Sequence, residues 1–359
     1  MSAGLEVIVD RLRLDQKEYF LNLFQECYGD HIAKQTRRRF EWQYLMNPYR
    51  ADIELDESLN IYTVSIDGKI VGCMGLWPIR AKFAGKAMTL FWTLDFIVIK
   101  QSINYRELRG RTLGEELLSK IMDDYQCPIV ATGLSDASIR FWKRLPNWRF
   151  CQGPQEFSLR FDQHQSVEKP PNAGIELREF NSIEELTHES SFEELLETFY
   201  RSMVHGMIRT TRYLKWRYDS HPYHQYQFFA YFHSGAMVAL LVTRASAEDY
   251  LGKTLSPKIL WIVEFLVLPE YSSELPRLLP EWYKFISDQE IGIINVWTSD
   301  SKIADALGKC GFRATPDFIE PWVVDVPKSF LASGATPQFA LQTLDQWYLS
   351  RGDCDFDAL

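Results

Sequence analysis

Two stretches of this 359-residue chain carry residue types that could do chemistry. The first is Arg109-Gly110-Arg111-Thr112-Leu113-Gly114, directly ahead of an apolar stripe at helical spacing. A turn at a helix N-terminus offers unpaired backbone N–H groups to an anion, and the helix dipole adds to the attraction. Arg109 and Arg111 add charge, so the stretch reads as a phosphate cradle; the bland alternative is a plain turn before a helix. The second is Asp95 in Trp92-Thr93-Leu94-Asp95-Phe96-Ile97-Val98. Alternation puts Asp95 on one face with Thr93, Ile97 and Ile99, where partial burial would lift a carboxyl pKa toward that of a general base. The bland alternative is a carboxylate that only fastens a neighbouring loop. Asp136, beside Ser135, stands where a helix cap is needed.

Other constellations are weaker. His221-Pro222-Tyr223-His224 pairs two histidines, but the proline breaks a helical metal face. Thr36-Arg37-Arg38-Arg39 reads as a solvated helix face. Trp42, Trp77 and Trp92 could wall a sugar, although Trp42 and Trp92 recur later in the chain and suit a core better. No Gly-x-Ser-x-Gly nucleophile elbow is present.

The elements that must position these residues are legible from their patterns. Ile61 to Ile66 alternates into Asp67-Gly68, a strong hairpin signal, and Lys69 to Trp77 returns as a strand. Trp92 to Ile99 is a strand; Leu113, Leu117, Leu118, Ile121, Met122 and Tyr125 share a helical stripe, with Glu116 and Lys120 paired on the wet side. Ile129 to Leu134 is predicted as a buried strand, Ala137 to Leu145 as a helix, and Phe157 to Phe161 as the last strand of the unit. The unit then returns. Trp-x-Tyr-x-x-x-Pro occurs at Trp42 and at Trp216, 174 residues apart. Trp92 to Val98 matches Trp261 to Val267 at an offset of 169, and Ser135-Asp136 matches Ser299-Asp300 at 164. Three matches in one order, with a steadily shrinking offset, point to two copies of one mixed α/β fold.

Hydrophobic residues make up 46% of the chain and aromatics 14%, which excludes a disordered protein. The net charge of −9 repels phosphate backbones, so nucleic acid is not an expected partner. No run approaches the ~20 apolar residues of a membrane span, and the N-terminus lacks the pattern of a secretory signal. Six scattered cysteines without a Cys-x-x-Cys pair suggest free thiols in a reducing compartment, hence a cytoplasmic protein without a metal.

A strand, a basic glycine loop and an amphipathic helix in this order resemble the GNAT N-acyltransferase superfamily. The loop resembles the family's Arg/Gln-x-x-Gly-x-Gly/Ala pattern: Arg109, Leu113 and Gly114 fit, and Thr112 stands where the first glycine is usual. The resemblance covers Leu5 to Asp162 and Ile175 to Val326. It implies a mixed α/β sheet fold with two tandem GNAT-like acyl-CoA N-acyltransferase domains, 1–162 and 175–327, a linker at 163–174 and a tail at 328–359. It also implies acetyl-CoA or another acyl-CoA as co-substrate, with Arg109, Gly110, Arg111, Thr112, Leu113 and Gly114 at the pyrophosphate. Backbone amides of Ile97, Val98 and Ile99 would face the pantetheine and thioester, and Asp95 would serve as base. Trp77, Asp136 and Glu264 are the expected acceptor-side residues.

The family's tyrosine acid has no counterpart among Phe141, Trp142 and Lys143. In the second copy Pro269 to Pro276 has no glycine and no basic residue, and Glu270 and Glu274 oppose a diphosphate, so this half is expected to shape the acceptor site or support the first half. The Trp-x-Tyr-x-x-x-Pro segment resembles a bacterial branch found among surface-polysaccharide genes, which implies an amino sugar or nucleotide sugar as the small-molecule amine acceptor. The rivals are a tRNA-dependent transferase of peptidoglycan-bridge type and a non-catalytic acyl-CoA-binding or scaffold protein.

Overall fold

Asp67-Gly68 turns the chain with both residues at positive φ, 49° and 82°, and the alternating runs beside it become β2 (Ser58–Ile66) and β3 (Lys69–Phe83). The computed structural model describes residues 6–53, 58–83, 85–99, 111–125, 127–132, 134–146, 148–151, 153–161, 174–248, 253–287, 289–319, 322–325 and 347–353. β1 (Val7–Arg13) pairs with β2, β4 (Lys86–Val98) pairs with β3, and both pairings are antiparallel. β5 (Ile129–Ala131) runs parallel to β4.

α1 (Lys17–Phe40) is broken by Gly29 at φ 81°, a conformation glycine adopts without strain, and runs into a π-helical turn, Glu41–Leu45. α2 (Leu113–Asp124) buries Leu113, Leu117, Leu118 and Ile121, as its stripe predicts. Lys120 pairs with Asp124 at 2.5 Å, not with the expected Glu116. α3 (Asp136–Trp142) is capped by Ser135, and β6 (Trp148–Cys151) and β7 (Gln155–Arg160) follow.

The second half repeats this order. It comprises β8 (Ile175–Phe180), α4 (Ile183–Leu186), α5 (Phe192–Ser202), β9 (His205–Met207), α6 (Thr211–Leu214) and a second π-helical turn, Lys215–Asp219. β10 (Gln227–His233), β11 (Ala236–Glu248), β12 (Thr254–Val267), α7 (Leu275–Ile286) and β13 (Ile291–Thr298) follow. α8 (Ser301–Lys309), β14 (Arg313–Ile319), β15 (Trp322–Asp325) and β16 (Trp347–Tyr348) complete the described elements.

One sheet runs β1-β2-β3-β4-β5-β15-β6 and the other β8-β10-β11-β12-β13-β7-β14. The two orders match only if β7 and β15 are read as exchanged. β7 lies between β13 and β14 of the second sheet, and β15 lies between β5 and β6 of the first. The strand predicted at Phe157 to Phe161 therefore forms, but not in the first sheet. Its inward side chains, Phe157 and Leu159, join the core of the second sheet. Another core cluster spans both halves and includes the repeated Trp42 and Trp216. Trp42 and Trp216 stack at 4.9 Å and 14°, and each indole N–H donates to the other's backbone carbonyl, at 2.8 and 2.9 Å. A ring pair of this kind contributes about 0.5–1.5 kcal/mol beyond its buried area.

Candidate active site

The site is set by where β4 loses a neighbour. β4 pairs with β5 from Phe91↔Ile129 to Thr93↔Ala131, then continues to Val98 with no partner on that side among the described residues. Its register against β3 shifts between Gly75↔Leu94 and Cys73↔Ile97, and Asp95 in the gap takes φ 52°. This is a β-bulge: one extra residue bends the strand and re-aims its side chains. The predicted alternation consequently breaks at Asp95. Trp92, Leu94 and Ile97 share one core, whereas Phe96 and Val98 pack into the other. Past the bulge the amide of Ile99 donates to Val71 at 2.8 Å, so alternation turns the Val98 N–H toward the open edge. Of the three amides expected to face a thioester, that of Val98 points to the open edge and that of Ile99 does not.

Asp95 is not open to a substrate. Arg39 donates to its Oδ1 at 2.6 Å, and Gln43 and Tyr44 donate to its Oδ2 at 2.8 and 2.5 Å. Side-chain exposure is 2% for Arg39 and 3% for Asp95. Burial, then the Asp95 charge, holds the Tyr44 hydroxyl well above its ordinary pKa. Gly75 is required here because a Cβ would sit 2.1 Å from the Tyr44 hydroxyl. The expected base is thus clamped by three donors, all from the end of α1 and its π-helical turn.

The candidate cradle lies at the start of α2. Arg109 and Gly110 fall outside the described residues, and Arg111 is exposed. Thr112 caps α2: its hydroxyl accepts from Glu115 N at 3.2 Å, and the Glu115 carboxylate accepts from Thr112 N at 2.6 Å. That reciprocal box suits a threonine where the family pattern has glycine, and it places a carboxylate at the helix start. The amides of Leu113 and Gly114 have no partner within the helix. Gly114 itself is buried. A Cβ there would meet Phe96 at 2.9 Å and Phe141 at 3.0 Å, so its smallness lets α2 approach the open edge of β4.

The expected acceptor residues do not converge. Trp77 is 1% exposed and edge-on to both Trp42 and Trp216, which makes it core. Asp136 is exposed in the first turn of α3, and the cap itself is Ser135. Glu264 is buried, with Arg209 at 3.2 and 3.3 Å and the Tyr218 hydroxyl at 3.2 Å. It sits at the corresponding register shift of β12 and is held by the tyrosine of the second Trp-x-Tyr motif. Arg209 also binds Asp353 at 2.6 Å. Burial and then the Asp353 charge raise the Glu264 pKa; burial alone would lower that of Arg209, but the two carboxylates carry it well above its ordinary value.

The second sheet has its own wedge, because β12 and β13 pair only as far as Ile262↔Val296. The chain's own C-terminal segment fills part of it. Tyr348 donates to the Phe265 carbonyl at 2.8 Å, and Ser299 Oγ bridges the Trp347 carbonyl and the Leu349 amide at 2.7 and 2.9 Å. The Arg351 guanidinium lies 3.7 Å from the Trp261 ring centre. Asp353, in the same segment, is 1% exposed. A cavity of 680 Å³ beside this segment is walled by Val267, Ser272, Ser299, Lys302 and Trp347.

Sequence reasoning missed the clamp partners Arg39, Gln43, Tyr44, Arg209, Tyr218 and Asp353. The signal was available for the tyrosines, since both lie in the repeated Trp-x-Tyr segment. The run of three arginines hides the one that turns inward, Arg39, behind the exposed Arg37 and Arg38. Among the described residues no group of three or more His, Cys, Asp or Glu could hold a metal ion, and no helix is long and apolar enough to cross a membrane.

A bulged central strand that splays from a parallel neighbour beside a capped helix defines the GNAT fold in a mixed α/β chain. The acetyltransferase (GNAT) family profile matches residues 17–145. The matched stretch runs from the start of α1 past the end of α3, and it supports acyl-CoA-dependent N-acyl transfer as the activity of this part of the chain. The fold is similar to a GCN5-related N-acetyltransferase from Kribbella flavida, at 13% identity and TM-score 0.58, covering 90% of this chain and 72% of that one. It is similar also to a GCN5-related N-acetyltransferase from Anabaena variabilis, at 11% identity and TM-score 0.57, covering 89% and 72%. Saccharomyces cerevisiae N-myristoyltransferase with bound myristoyl-CoA aligns at 13% identity and TM-score 0.53, covering 90% and 83%. No curated protein matches the chain in sequence.

Proposed function

We propose that the first half binds acyl-CoA, most simply acetyl-CoA, along the open edge of β4 and transfers the acyl group to an amine. The observation that carries this is the end of β4–β5 pairing at Thr93↔Ala131, with β4 continuing to Val98 beside the N-terminus of α2. A pantetheine arm can add to that edge as a strand would. The Val98 N–H is the donor for the thioester oxygen, and the Leu113 and Gly114 amides with Arg111 face the diphosphate. The amine forms the new C–N bond as the C–S bond breaks, and its proton ends on the thiol. Asp95 is a positioning residue: its clamp holds the bulge that aims Val98.

The two halves are read as copies of one fold with domains at 1–162 and 175–327. The second does not take acyl-CoA; Glu270, Glu274 and the segment 347–353 in its wedge support this. The acceptor class we infer is an amino sugar or nucleotide sugar for a surface glycan, acted on in the cytoplasm.

Calorimetry with acetyl-CoA tests the donor site. One molecule should bind per chain, and Arg111→Glu and Gly114→Glu should weaken it at least tenfold, circular dichroism confirming that each variant folds. Unchanged affinity in the exposed Arg111→Glu variant removes the cradle assignment. Thiol release across amino sugars then separates enzyme from binding module: binding without release on any acceptor contradicts catalysis.

A further inference from the structure

A second polar opening lies at the junction of the two halves, away from the open edge of β4. It is a cavity of 390 Å³ whose lining combines Asn47 and Arg50 of the first half with Arg212 and Ser220 of the second, against Trp216. Among its lining residues there is no carboxylate. In a chain of net charge −9, two arginine side chains thus line one cavity. The nearest acid in sequence to Ser220 is turned away, since Asp219 accepts from the amides of Ile183 and Glu184 at 2.9 and 3.2 Å.

Asn47 is 4% exposed, and its Oδ1 accepts from Tyr49 N at 2.9 Å. Arg50 donates to the Ser58 carbonyl at 3.4 Å. The two arginine-bearing segments are held together across the junction. The Tyr49 hydroxyl bonds Thr210 Oγ1 at 2.9 Å, and Tyr49 stacks on Tyr213 at 6.4 Å and 13°.

The internal match sharpens the contrast. At the offset of 174, Asn47 and Arg50 correspond to His221 and His224. There the second copy is closed by rings: His221 lies 4.5 Å from His224, stacked, and 4.6 Å from Trp42. The first copy keeps short and charged side chains at these positions and leaves the cavity.

We propose that this junction pocket binds the carboxylate or phosphate group of a small molecule, with Arg50 and Arg212 as the charged donors. Planar guanidinium forks suit both oxyanions, and a pocket made by both halves can form only when the halves are docked. The anion can be a group on the amine acceptor or a separate ion; the chemistry of recognition is shared.

The test is calorimetry at fixed ionic strength with three probes: inorganic phosphate, glucosamine 6-phosphate and glucosamine. Phosphate-bearing probes should bind and sodium chloride at matched ionic strength should not reproduce the heat. Arg50→Gln and Arg212→Gln should each weaken binding about tenfold or more, the loss expected for one charge-assisted hydrogen bond. Acetyl-CoA affinity in both variants should be unchanged, so a failure here is distinct from a failure of the donor site. Tighter binding of glucosamine 6-phosphate than of phosphate assigns the pocket to the acceptor, and equal binding assigns it to a free ion. Phosphate heat that is absent, or the same in both variants as in the wild type, overturns the proposal.

Discussion

Asp95→Asn and Glu264→Gln look equivalent by position but should differ several-fold in cost. Each removes one charge from a buried carboxylate at a register shift of a central strand. In the first half Asp95 pairs with the Arg39 guanidinium, the two being 3% and 2% exposed, and the other donors on Asp95 are the neutral Gln43 and Tyr44. Asparagine there removes the carboxylate of a buried ion pair, and breaking such a pair from one side costs about 3–5 kcal/mol. In the second half Arg209 serves two carboxylates, Glu264 and Asp353. Glutamine at 264 leaves the 2.6 Å Arg209–Asp353 pair intact and removes the repulsion between the acids. The raised Glu264 pKa, caused by burial and then by Asp353, points the same way. The expected cost is about 0.5–1.5 kcal/mol, the range of a single net hydrogen bond. Urea denaturation at neutral pH, with slopes compared between variants, reads both values. The double variant Arg39→Met/Asp95→Leu should recover part of the loss, because both charges of the pair are gone. Equal losses for Asp95→Asn and Glu264→Gln, or a larger loss at Glu264, would refute this assignment of charge balance.

Three further outcomes follow from the packing. Burial pushes the Asp325 carboxyl up to about 6 and the His205 imidazole down to about 4. The Asp325 contribution is present at low pH and lost as pH rises through 6, and the His205 contribution is present above its ordinary value of 6.5 and lost as pH falls toward 4. Each is worth about 2–3 kcal/mol and they oppose each other. Asp325→Asn should therefore expose stability that climbs with pH between 4 and 6.5, and His205→Gln the reverse; difference curves flat with pH contradict both. Because β7 and β15 each sit in the other half's sheet, calorimetry should show one unfolding transition, and two resolved peaks would contradict the exchange. Gly75→Ala should cost about 1–3 kcal/mol by forcing Tyr44 off Asp95, measured by thermal unfolding, and a neutral result removes the argument for glycine there.

Much of the fold was legible because its signals are local. The Asp67-Gly68 hairpin, the α2 stripe and the Ser135 cap are each written in a few consecutive residues. What escaped was non-local. Nothing in Gln155–Arg160 says that its partners are β13 and β14, since an exchanged strand has the same alternation as one that stays. The bulge at Asp95 escaped because alternation assumes an even pleat, so Phe96 and Val98 were placed on the wrong side of Leu94. The site suffered most from this. A carboxylate among apolar residues reads as a base, yet burial equally demands a counter-charge, and Arg39 lies 56 residues away. The repeat carried more than it was asked for: Trp42 and Trp216 meet each other, and Tyr44 and Tyr218 hold the two carboxylates.

The measurement that bears most directly on the donor-site account is a crystal structure of the chain soaked with acetyl-CoA. The account predicts one molecule per chain, with its pantetheine along β4 beyond Thr93, the Val98 N–H at the thioester oxygen and the diphosphate at the start of α2. Acetyl-CoA bound in the wedge between β12 and β13 with β4 bare would contradict it.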